Sequence, residues 1–464
     1  MKKLNPHLAI KIKLSAVFLF TFTFLANAQE GKRESLSLTI YNDNLALVRE
    51  SRKVQLPSGN TSYSLTDIPE RIDPTSVRVK FNGSVFEQNY QYDLVSADKI
   101  LQRYIDKPVT LKNSKGDFIS GLLLSSNAMN AVIQTENNGK KGITMIQNLQ
   151  DYQVVVTELP SGFVTKPTLQ WLLNSQKAGE QTLDVSYQTR GMSWHAEYVA
   201  TLNKDETMLD LAAWVSIENN SGTTYPNAKI KLIAGDINRI KSNEDIGFGG
   251  APPTAVMGYQ RKAEPQFKEE SFFEYHIYEL QRPSSLQNNE TKQISLFDVS
   301  PFPFEKKYLF SSGRNDEKIK VVVEFQNAKK FNLGIPFPKG KVRVNKARDN
   351  GVEFIGEDQI DHTPTDERIK LNIGNAFDLV GQEEMKESEQ VSNRVTEQTY
   401  KVTLKNRKPN EDVVIEVEKN FYGNWKILSS TLEYEKINAT TIRFKPKVSR
   451  GKELSFEYKV RLGY

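Results

Sequence analysis

An acidic stretch near residue 360 contains the side chains best suited to chemistry in this chain. Carboxylates are concentrated between Glu357 and Glu367, and His362 lies among them. Carboxylates this close in sequence can bind calcium, or can supply a general acid and a general base. The spacing matches neither an EF-hand loop nor the H-E-x-x-H motif. One hypothesis is therefore a metal site of unfamiliar spacing, with the candidate ligands Asp358, Asp361, Asp366 and Glu367.

A second interpretation of the acidic stretch needs no ligand. Charged loops usually face water, and their carboxylates pair with nearby cations. The arginines available for such pairs are Arg343, Arg348 and Arg368. We favour this solvated connection between strands over the metal site, and we predict no catalytic residue and no cofactor.

Other reactive side chains are scarce. The chain has no cysteine, which excludes disulfides, thiol nucleophiles, iron–sulfur clusters and thiolate zinc sites. Only His195, His276 and His362 follow residue 28, so a three-histidine zinc site would need all of them to converge. A serine hydrolase of the common elbow type is not indicated, because the G-x-S-x-G motif is missing.

The four tryptophans are a further kind of candidate, because indole rings can stack on sugars. Trp171, Trp194 and Trp214 lie within alternating strand patterns, where aromatic side chains normally fill a core. Trp425 follows the sequence Tyr-Gly-Asn and is expected near a loop. We therefore expect the first three in the core and retain Trp425 as a possible sugar contact.

The N-terminus predicts export. Four lysines within residues 1–13 precede an apolar run over 14–25, and Ala26-Asn27-Ala28 follows with two small residues. A charged head, a short apolar middle and an A-x-A end are typical of a secretory signal peptide. The apolar run is shorter than the roughly 20 residues that a membrane span needs. We predict cleavage after Ala28 and a periplasmic or extracellular location in the cell envelope.

Charge and composition exclude further classes of function. Removal of residues 1–28 takes away four lysines and lowers the formal net charge from +5 to +1. A nearly neutral chain has no evident electrostatic footprint for nucleic acid. No apolar segment after residue 28 is long enough to cross a bilayer as a helix. We predict that the mature chain binds no nucleic acid, has no transmembrane span and associates with membranes peripherally at most.

Strict alternation of apolar and polar residues dominates the mature chain. Its longest run is Leu209, Leu211, Ala213, Val215 and Ile217. Alternation places one face of a strand on a core and the other in water, as in antiparallel sheets. The predicted fold class is mainly β, with multi-domain antiparallel β-sandwiches, a small barrel-like module and one short helix near the N-terminus.

Turn residues and changes in composition divide the chain further. Ser96 can cap a helix, and five short strand patterns with glycines between them follow Pro108. The predicted parts are a signal peptide (1–28), an N-terminal β-rich module (29–160) with a helix (96–106) and a small barrel (107–160), a central β-sandwich region (161–240 plus 271–380), a flexible loop or linker (241–270), a polar linker (381–396) and a C-terminal β-sandwich (397–464).

Several phrases in these strands are familiar in combination. They are TIYNDNLALVRE (39–50), RIDPTSVRV (71–79), VSYQTRGMSWHAEYVATL (185–202), WVSIENNSGTTYPNAKIKLIAGDINR (214–239), FPKGKVRVNK (337–346) and FIGEDQIDHTPTDERIKLNIGNAFDL (354–379). Together they resemble the bacterial mucoidy-inhibitor-A-like family, whose shared module is known only as a domain of unknown function. The resemblance implies a secreted or envelope protein and supplies no catalytic residues. Many relatives carry a long coiled-coil insertion, whereas this chain has a helix and small barrel pattern there.

These observations favour a secreted or envelope-associated β-sandwich protein of unknown biochemical activity. We predict a non-catalytic scaffold or binding module whose partner is an envelope protein or a glycan. One alternative is a secreted hydrolase or divalent-cation-dependent protein that uses residues 357–367. A second alternative is a carbohydrate-binding protein that uses Trp425 and neighbouring tyrosines.

Overall fold

The structure is a computed structural model that describes residues 31–463, except for 93–95, 128, 138, 159, 161–162, 236, 239–265 and 313–316. The predicted signal peptide (1–28) and most of the predicted loop 241–270 lie outside the described residues. Strands account for 69% of the structure and helix for 3%, which confirms the mainly β fold class. Among the described residues, no helix combines the length and the apolarity that a membrane crossing requires.

Strands connected by short turns make up nearly all of the described chain. The elements of the first half are β1 (Lys32–Tyr41), β2 (Ala46–Leu56), β3 (Gly59–Leu65), β4 (Ile72–Lys80), β5 (Gly83–Gln91), α1 (Ala97–Arg103), β6 (Pro108–Asn113), β7 (Phe118–Ser126), β8 (Ala131–Asn137), β9 (Lys140–Ile146), a 3₁₀ turn (Leu149–Asp151), β10 (Tyr152–Val155), β11 (Thr168–Ser175), β12 (Gly179–Thr189), β13 (Met192–Leu202), β14 (Met208–Asn219) and β15 (Tyr225–Ala234).

The second half continues in the same manner. Its elements are β16 (Phe267–Phe272), β17 (Tyr275–Leu280), β18 (Ser284–Leu286), β19 (Glu290–Pro303), β20 (Glu305–Ser312), β21 (Lys318–Gln326), a 3₁₀ turn (Lys329–Phe331), β22 (Gly340–Arg348), β23 (Gly351–Ile360), β24 (Arg368–Ser392), β25 (Val395–Asn406), β26 (Val413–Asn420), β27 (Asn424–Ser430), β28 (Tyr434–Lys436), β29 (Thr441–Phe444), β30 (Lys447–Val448) and β31 (Glu453–Gly463).

Two compact units share the chain. The first takes 31–32, Lys53–Ile68 and Phe81–Thr182 among its described residues, and the second takes Arg33–Arg52, Pro69–Lys80 and the chain from Leu183 onward. The boundary therefore passes through β1, β2 and β12. Each unit has its own sheets.

The first unit contains the predicted helix and the five predicted short strands. Ser96 caps α1, and its Oγ accepts a hydrogen bond from the backbone N of Lys99 at 3.3 Å, which confirms the predicted cap. Leu101 and Tyr104 of the α1 region share one buried cluster with Leu123 and Ile133 of the sheet. The helix is thus held by its apolar side against β7 and β8.

The five strands form an open sheet instead of the predicted small barrel over 107–160. Their order is β10-β6-β7-β8-β9, and the two outer strands do not pair with each other. β10 has only four residues, and within the described chain it pairs with β6 and leaves its other edge open. A close approach in the middle requires Gly121, because a Cβ there would lie 2.2 Å from the carbonyl oxygen of Gln134.

A three-stranded sheet completes the first unit, in the order β3-β11-β5. Trp171 of β11 is fully buried and stacks on Tyr63 with ring centroids 6.1 Å apart. Its indole N donates a hydrogen bond to the Gln88 side chain at 2.8 Å. The prediction that Trp171 belongs to a core is confirmed.

The second unit contains three larger sheets. Their strand orders are β16-β17-β15-β1-β2-β12-β4, with β18 beside β15, then β19-β14-β13-β22-β23, then β27-β31-β25-β24-β21-β20-β26-β29-β28, with β30 beside β26. Most pairs are antiparallel, as predicted. Three parallel pairs in the described chain were not predicted: β1–β15, β13–β22 and β20–β26. Long stretches of chain separate the partners, as parallel pairing requires.

The alternating run on β14 behaves as its sequence predicts. Leu209, Leu211, Ala213, Val215 and Ile217 are all buried. The β14 strand lies between β13 and β19, so its apolar face contributes to the interior along its whole length. This strand confirms that period-two patterns in the sequence correspond to sheet faces.

The predicted polar linker 381–396 is wrong. Residues up to Ser392 continue β24, and β25 starts at Val395. The two strands pair from Leu379–Asn406 to Ser392–Val395. The segment is polar because most of its side chains are exposed, whereas its backbone is hydrogen-bonded as a long hairpin. In the same way, Phe267–Glu270 at the end of the predicted loop 241–270 belong to β16.

The C-terminal sheet also starts earlier than the predicted sandwich at 397. Its buried cluster joins Phe456 and Tyr458 of β31 to Phe310 of β20, Ile319 of β21 and Leu379 of β24. The strands after residue 397 therefore share their core with strands that come before it. A sequence pattern cannot reveal this, because β20 pairs with β26 across a hundred residues of chain.

A buried ion cluster fixes the hairpin of β1 and β2. The Glu50 side chain is inaccessible to solvent, and its Oε2 accepts hydrogen bonds from Arg33 Nε at 2.7 Å and from Arg52 Nη2 at 2.8 Å. Arg52 is itself 2% exposed. Successive residues of a strand point to opposite faces, so burial of Glu50 and Arg52 turns Arg49 and Ser51 to the outside.

We predict that Glu50→Ala destabilises the protein by about 3–5 kcal/mol, because it removes the carboxylate from a buried charge cluster. Urea unfolding followed by tryptophan fluorescence measures the change. Glu34→Ala is the matched control, since Glu34 is an exposed carboxylate on the same hairpin, and its unfolding midpoint should equal that of the wild type. A Glu50→Ala midpoint equal to that of the control would contradict the prediction.

Candidate functional site

A polar groove of about 380 Å³ lies on the outer face of the sheet formed by β1, β2, β12 and β4. Its lining includes cations from β2 and β4, hydroxyls from β1, β2 and β12, and carboxylates from β2 and β12. The lining residues are Ser35, Ser37, Arg49, Glu50, Ser51, Arg78, Val79, Lys80, Asp184, Val185 and Ser186. Nine of these eleven residues carry a charged or hydroxyl group, while carbon atoms make up most of the exposed lining surface.

Alternation in each strand explains why the polar groups share one face. Leu36 and Leu38 of β1 are buried, so Ser35 and Ser37 face outward. Leu183 and Tyr187 are buried in the same way on β12, which leaves the even-numbered Asp184 and Ser186 outside. The interior therefore fixes which side chains reach the groove.

Strand register places these side chains in two rows across the sheet. The β1–β2 hairpin is closed by a hydrogen bond from Tyr41 N to Leu45 O, which sets Ser37 opposite Arg49. On the far side, Ser186 pairs with Arg78. β2 and β12 run antiparallel with Ser51 beside Asp184, so Arg49 lies beside Ser186.

The first row extends beyond the groove onto the neighbouring strand. Lys229 of β15 pairs with Ser37 of β1 in the parallel register. The complete row therefore alternates cation and hydroxyl across five adjacent strands: Lys229, Ser37, Arg49, Ser186 and Arg78. Lys229, Arg49 and Arg78 are exposed.

The second row has a different chemistry. It contains Ser35, Ser51, Asp184 and Lys80, and Asp184 pairs with Lys80 in the register of β12 and β4. The Ser51 hydroxyl donates a hydrogen bond to Asp184 Oδ1 at 2.5 Å. This row offers both donors and acceptors, whereas the first row offers mainly donors.

The cations of the groove and its extension form no ion pair within the described residues. Arg49, Lys80 and Lys229 also make no side-chain hydrogen bond there. Arg78 donates to the backbone carbonyl oxygens of Thr75 at 3.1 Å and Val77 at 2.9 Å. The groove therefore presents cations that no described carboxylate contacts directly.

Buried carboxylates elsewhere in the second unit are satisfied internally. A hydrogen bond from His195, together with the hydrogen bond and charge of Arg343, lowers the pKa of Glu197 despite its burial. Burial alone would raise the pKa of Glu324, but hydrogen bonds from Arg368 and Lys307 hold it below the usual value. In both clusters the buried carboxylate is paired with cations of its own or neighbouring strands.

The structure does not bring the four candidate metal ligands of the acidic stretch together. Among the described residues, no group of three or more His, Asp or Glu side chains is arranged to hold a metal ion. Asp358 lies on β23, and its carboxylate accepts hydrogen bonds from the backbone N of Gln359 and of Asn372. Asp361, Asp366 and Glu367 are exposed in the connection to β24. The four candidate ligands are therefore spread over a strand and a turn.

The predicted arginine partners of this stretch are also corrected. Arg343 pairs with Glu197 at 3.2 Å, and Arg368 pairs with Glu324 at 2.7 Å. Both arginines point to carboxylates that lie on other strands of their own sheets, because neighbouring strands bring those side chains closer than the loop does. Within the described residues, Arg348 makes no ion pair.

The three histidines have separate partners. His195 lies on the face opposite the buried Trp194, as alternation predicts, and its Nε2 is 3.4 Å from Glu197 Oε1. The Nδ1 of His276 is 2.7 Å from Glu269 Oε1. The Nδ1 of His362 accepts a hydrogen bond from the backbone N of Lys339 at 3.1 Å. No three-histidine centre forms in the described chain.

Trp425 is not an open stacking platform. Its ring packs on Phe421 at 5.0 Å between centroids, and the Lys436 ammonium lies 4.7 Å from its centroid. The indole N donates to the carbonyl oxygen of Ala439 at 2.8 Å. Trp194 is buried as predicted, whereas Trp214 is only half-buried, on the face of β14 that borders Glu197.

Sequence analysis missed the groove. Its residues occur in short polar–apolar–polar triplets such as Ser35–Ser37, Arg49–Ser51 and Asp184–Ser186. Each triplet indicates an outward strand face. Only the order of the strands in the sheet shows that these triplets lie side by side. Local sequence patterns do not contain that order.

Comparison with known proteins adds no assignment. A scan against protein-family models finds no match to this chain. A search of curated proteins likewise finds no significantly similar sequence.

We predict that calcium does not stabilise this protein through its acidic stretch. The melting temperature should be the same in calcium and in excess chelator, because the carboxylates do not converge. Asp361→Asn combined with Glu367→Gln should change the unfolding free energy by less than about 0.5 kcal/mol, as is usual for exposed sites. Differential scanning fluorimetry measures both effects. A calcium-dependent rise in melting temperature that the double variant abolishes would restore the metal hypothesis.

Proposed function

We propose that this chain is an exported, non-catalytic binding protein of the bacterial cell envelope, and that the polar groove is its ligand-binding site. The observation that carries the proposal is the row of cations and hydroxyls on the outer face of β15, β1, β2, β12 and β4. The row contains three exposed cations and no carboxylate.

The cations of the row gain nothing from an ion pair within the described protein. Arg49 and Lys229 are exposed and start about 10 Å apart, so water and salt screen their mutual repulsion, and neither pairs with a described carboxylate. The charges of the row therefore remain available to a ligand. An external ligand with negative charge and hydroxyl groups would satisfy the row.

The proposed location rests on the sequence. A charged head, an apolar run over 14–25 and the Ala26-Asn27-Ala28 end support export. The phrases that resemble the mucoidy-inhibitor-A-like family support a bacterial envelope setting. The predicted location and the chemistry of the groove are consistent with each other, because polymers at the cell surface are rich in hydroxyl and acidic groups.

Geometry favours binding over the two alternatives considered from the sequence. The hydrolase or divalent-cation alternative depends on residues 357–367, whose carboxylates are dispersed over β23 and the following turn. The original carbohydrate alternative depends on Trp425, whose ring is covered by Phe421 and Lys436. The groove is therefore a better binding site for a polar ligand than either of these places.

We predict that the exported product begins at Gln29. Expression of the complete chain in a bacterial host, followed by osmotic-shock fractionation and N-terminal sequencing, measures this. The matched control replaces Ala26 and Ala28 with leucine, which blocks recognition of the small residues before the cleavage point. Recovery of an intact N-terminus from the envelope fraction, or of the whole product from the cytosol, would overturn the export part of the proposal.

We predict that the mature chain co-sediments with isolated envelopes of the bacterium that encodes it, and that the groove is responsible. Arg49→Glu combined with Arg78→Glu should reduce the bound fraction at least tenfold, because charge reversal turns attraction into repulsion. Arg348→Glu combined with Arg394→Glu is the matched control, since both arginines are exposed and lie on other strands or turns. Equal sedimentation of the two double variants would contradict the binding role of the groove.

A further inference from the structure

We infer that the groove binds a linear acidic polysaccharide, which lies across the strands along the row from Lys229 to Arg78. The inference deepens the proposed function and rests on it. It assigns a ligand class from three features of the face: the spacing of its cations, the hydroxyls between them and the location of the site on a sheet face.

The cations of the first row recur at a regular interval. Lys229, Arg49 and Arg78 lie on β15, β2 and β4, so each is two strands from the next. Strands are about 4.8 Å apart, so successive cations start about 10 Å apart and the row extends about 19 Å. A single small anion reaches one of them. A linear polymer with an acid group on alternate sugars can reach all three.

Hydroxyl groups fill the intervals between the cations. Ser37 and Ser186 alternate with the cations of the first row, and Ser35 and Ser51 add two neighbouring hydroxyls in the second row. Asp184 adds an acceptor for the hydroxyl of a ligand. A ligand that carries both acid groups and many hydroxyls is complementary to this mixture, whereas inorganic phosphate or sulfate uses only the cations.

The location of the groove argues against other polyanions. A peptide strand is recognised most often by pairing with the open edge of a sheet, but these side chains stand on the face of strands that are already paired. A single-stranded nucleic acid is held by aromatic rings that stack on its bases, and the groove lining contains only aliphatic, hydroxyl and charged side chains. Side-chain recognition of sugar rings fits this face best.

Isothermal titration of the mature chain (residues 29–464) tests the ligand class with defined polymers. Polygalacturonate is the carboxylated probe, and its fully methyl-esterified form is the matched neutral probe with the same backbone. Heparin serves as a sulfated probe, and poly-glutamate as an acidic polymer without sugars. We expect binding to polygalacturonate or to heparin, with the stronger of the two identifying the preferred acid group, and no binding to the ester or to poly-glutamate.

Variants connect that binding to the row. Arg49→Ala and Lys229→Ala should each weaken binding about twofold to fivefold, the effect of one exposed charge contact. Arg49→Lys should retain most of the affinity, and Arg348→Ala should equal the wild type. Each cation removed should also lower the dependence of the affinity on salt concentration. Circular dichroism confirms that each variant is folded before it is titrated.

Opposite results would overturn the inference. Binding to poly-glutamate as tight as to the acidic polysaccharides would show that sugars are not recognised, and equal binding to the methyl ester would show that charge is not recognised. Failure of both acidic polysaccharides, while envelope co-sedimentation still requires Arg49 and Arg78, would overturn the polysaccharide and leave the proposed function standing. If neither envelope co-sedimentation nor polysaccharide binding depends on the residues of the groove, both proposals are overturned.

Discussion

The buried carboxylate of Glu50 determines which side chains the sheet presents to solvent. It lies beneath the groove, in contact with Arg33 and Arg52, and it cannot move outward without breaking a desolvated charge cluster. A shift of one residue in a strand would exchange its two faces completely. The ion cluster therefore opposes a slip of β2 that would bury Arg49. The buried ion cluster thus determines which side chains of β2 the groove exposes.

Charge pairing distinguishes the buried ion clusters of the second unit from the groove. Glu383 shows the buried kind: it accepts hydrogen bonds from Tyr458 at 2.6 Å and from Lys419 at 2.5 Å, and Lys419 also lies over the Tyr400 ring. Burial raises the pKa of Tyr458, and the charge of Glu383 raises it further. This network holds strands together and is inaccessible. The groove differs because its cations are exposed and form no ion pair within the described chain.

Sequence patterns predicted the local structure well and the long-range structure poorly. The run from Leu209 to Ile217 predicted a buried strand face, and Ser96 predicted a helix cap, because both signals depend on neighbours in sequence. The prediction of a linker over 381–396 is wrong because amino-acid composition indicates which side chains are exposed. It does not indicate which backbone groups are hydrogen-bonded. Strand order was inaccessible for the same reason: Lys229 and Ser37 are neighbours only through a parallel pair. The groove exists only in that order, so no sequence motif indicated it.

The geometry of the groove also explains why a polymer suits it better than a small ligand. An exposed ion pair contributes little, typically under about 1 kcal/mol, because water screens both charges. One acid group at Arg49 would therefore bind weakly. A chain that reaches Arg49 gains its contacts to Lys229 and Arg78 without a further loss of translational freedom, so its affinity rises with each contact. An open groove with evenly spaced cations does not surround a small anion and desolvate it. It can, however, add weak contacts along a chain, and that is the physical reason to expect its ligand to be repetitive.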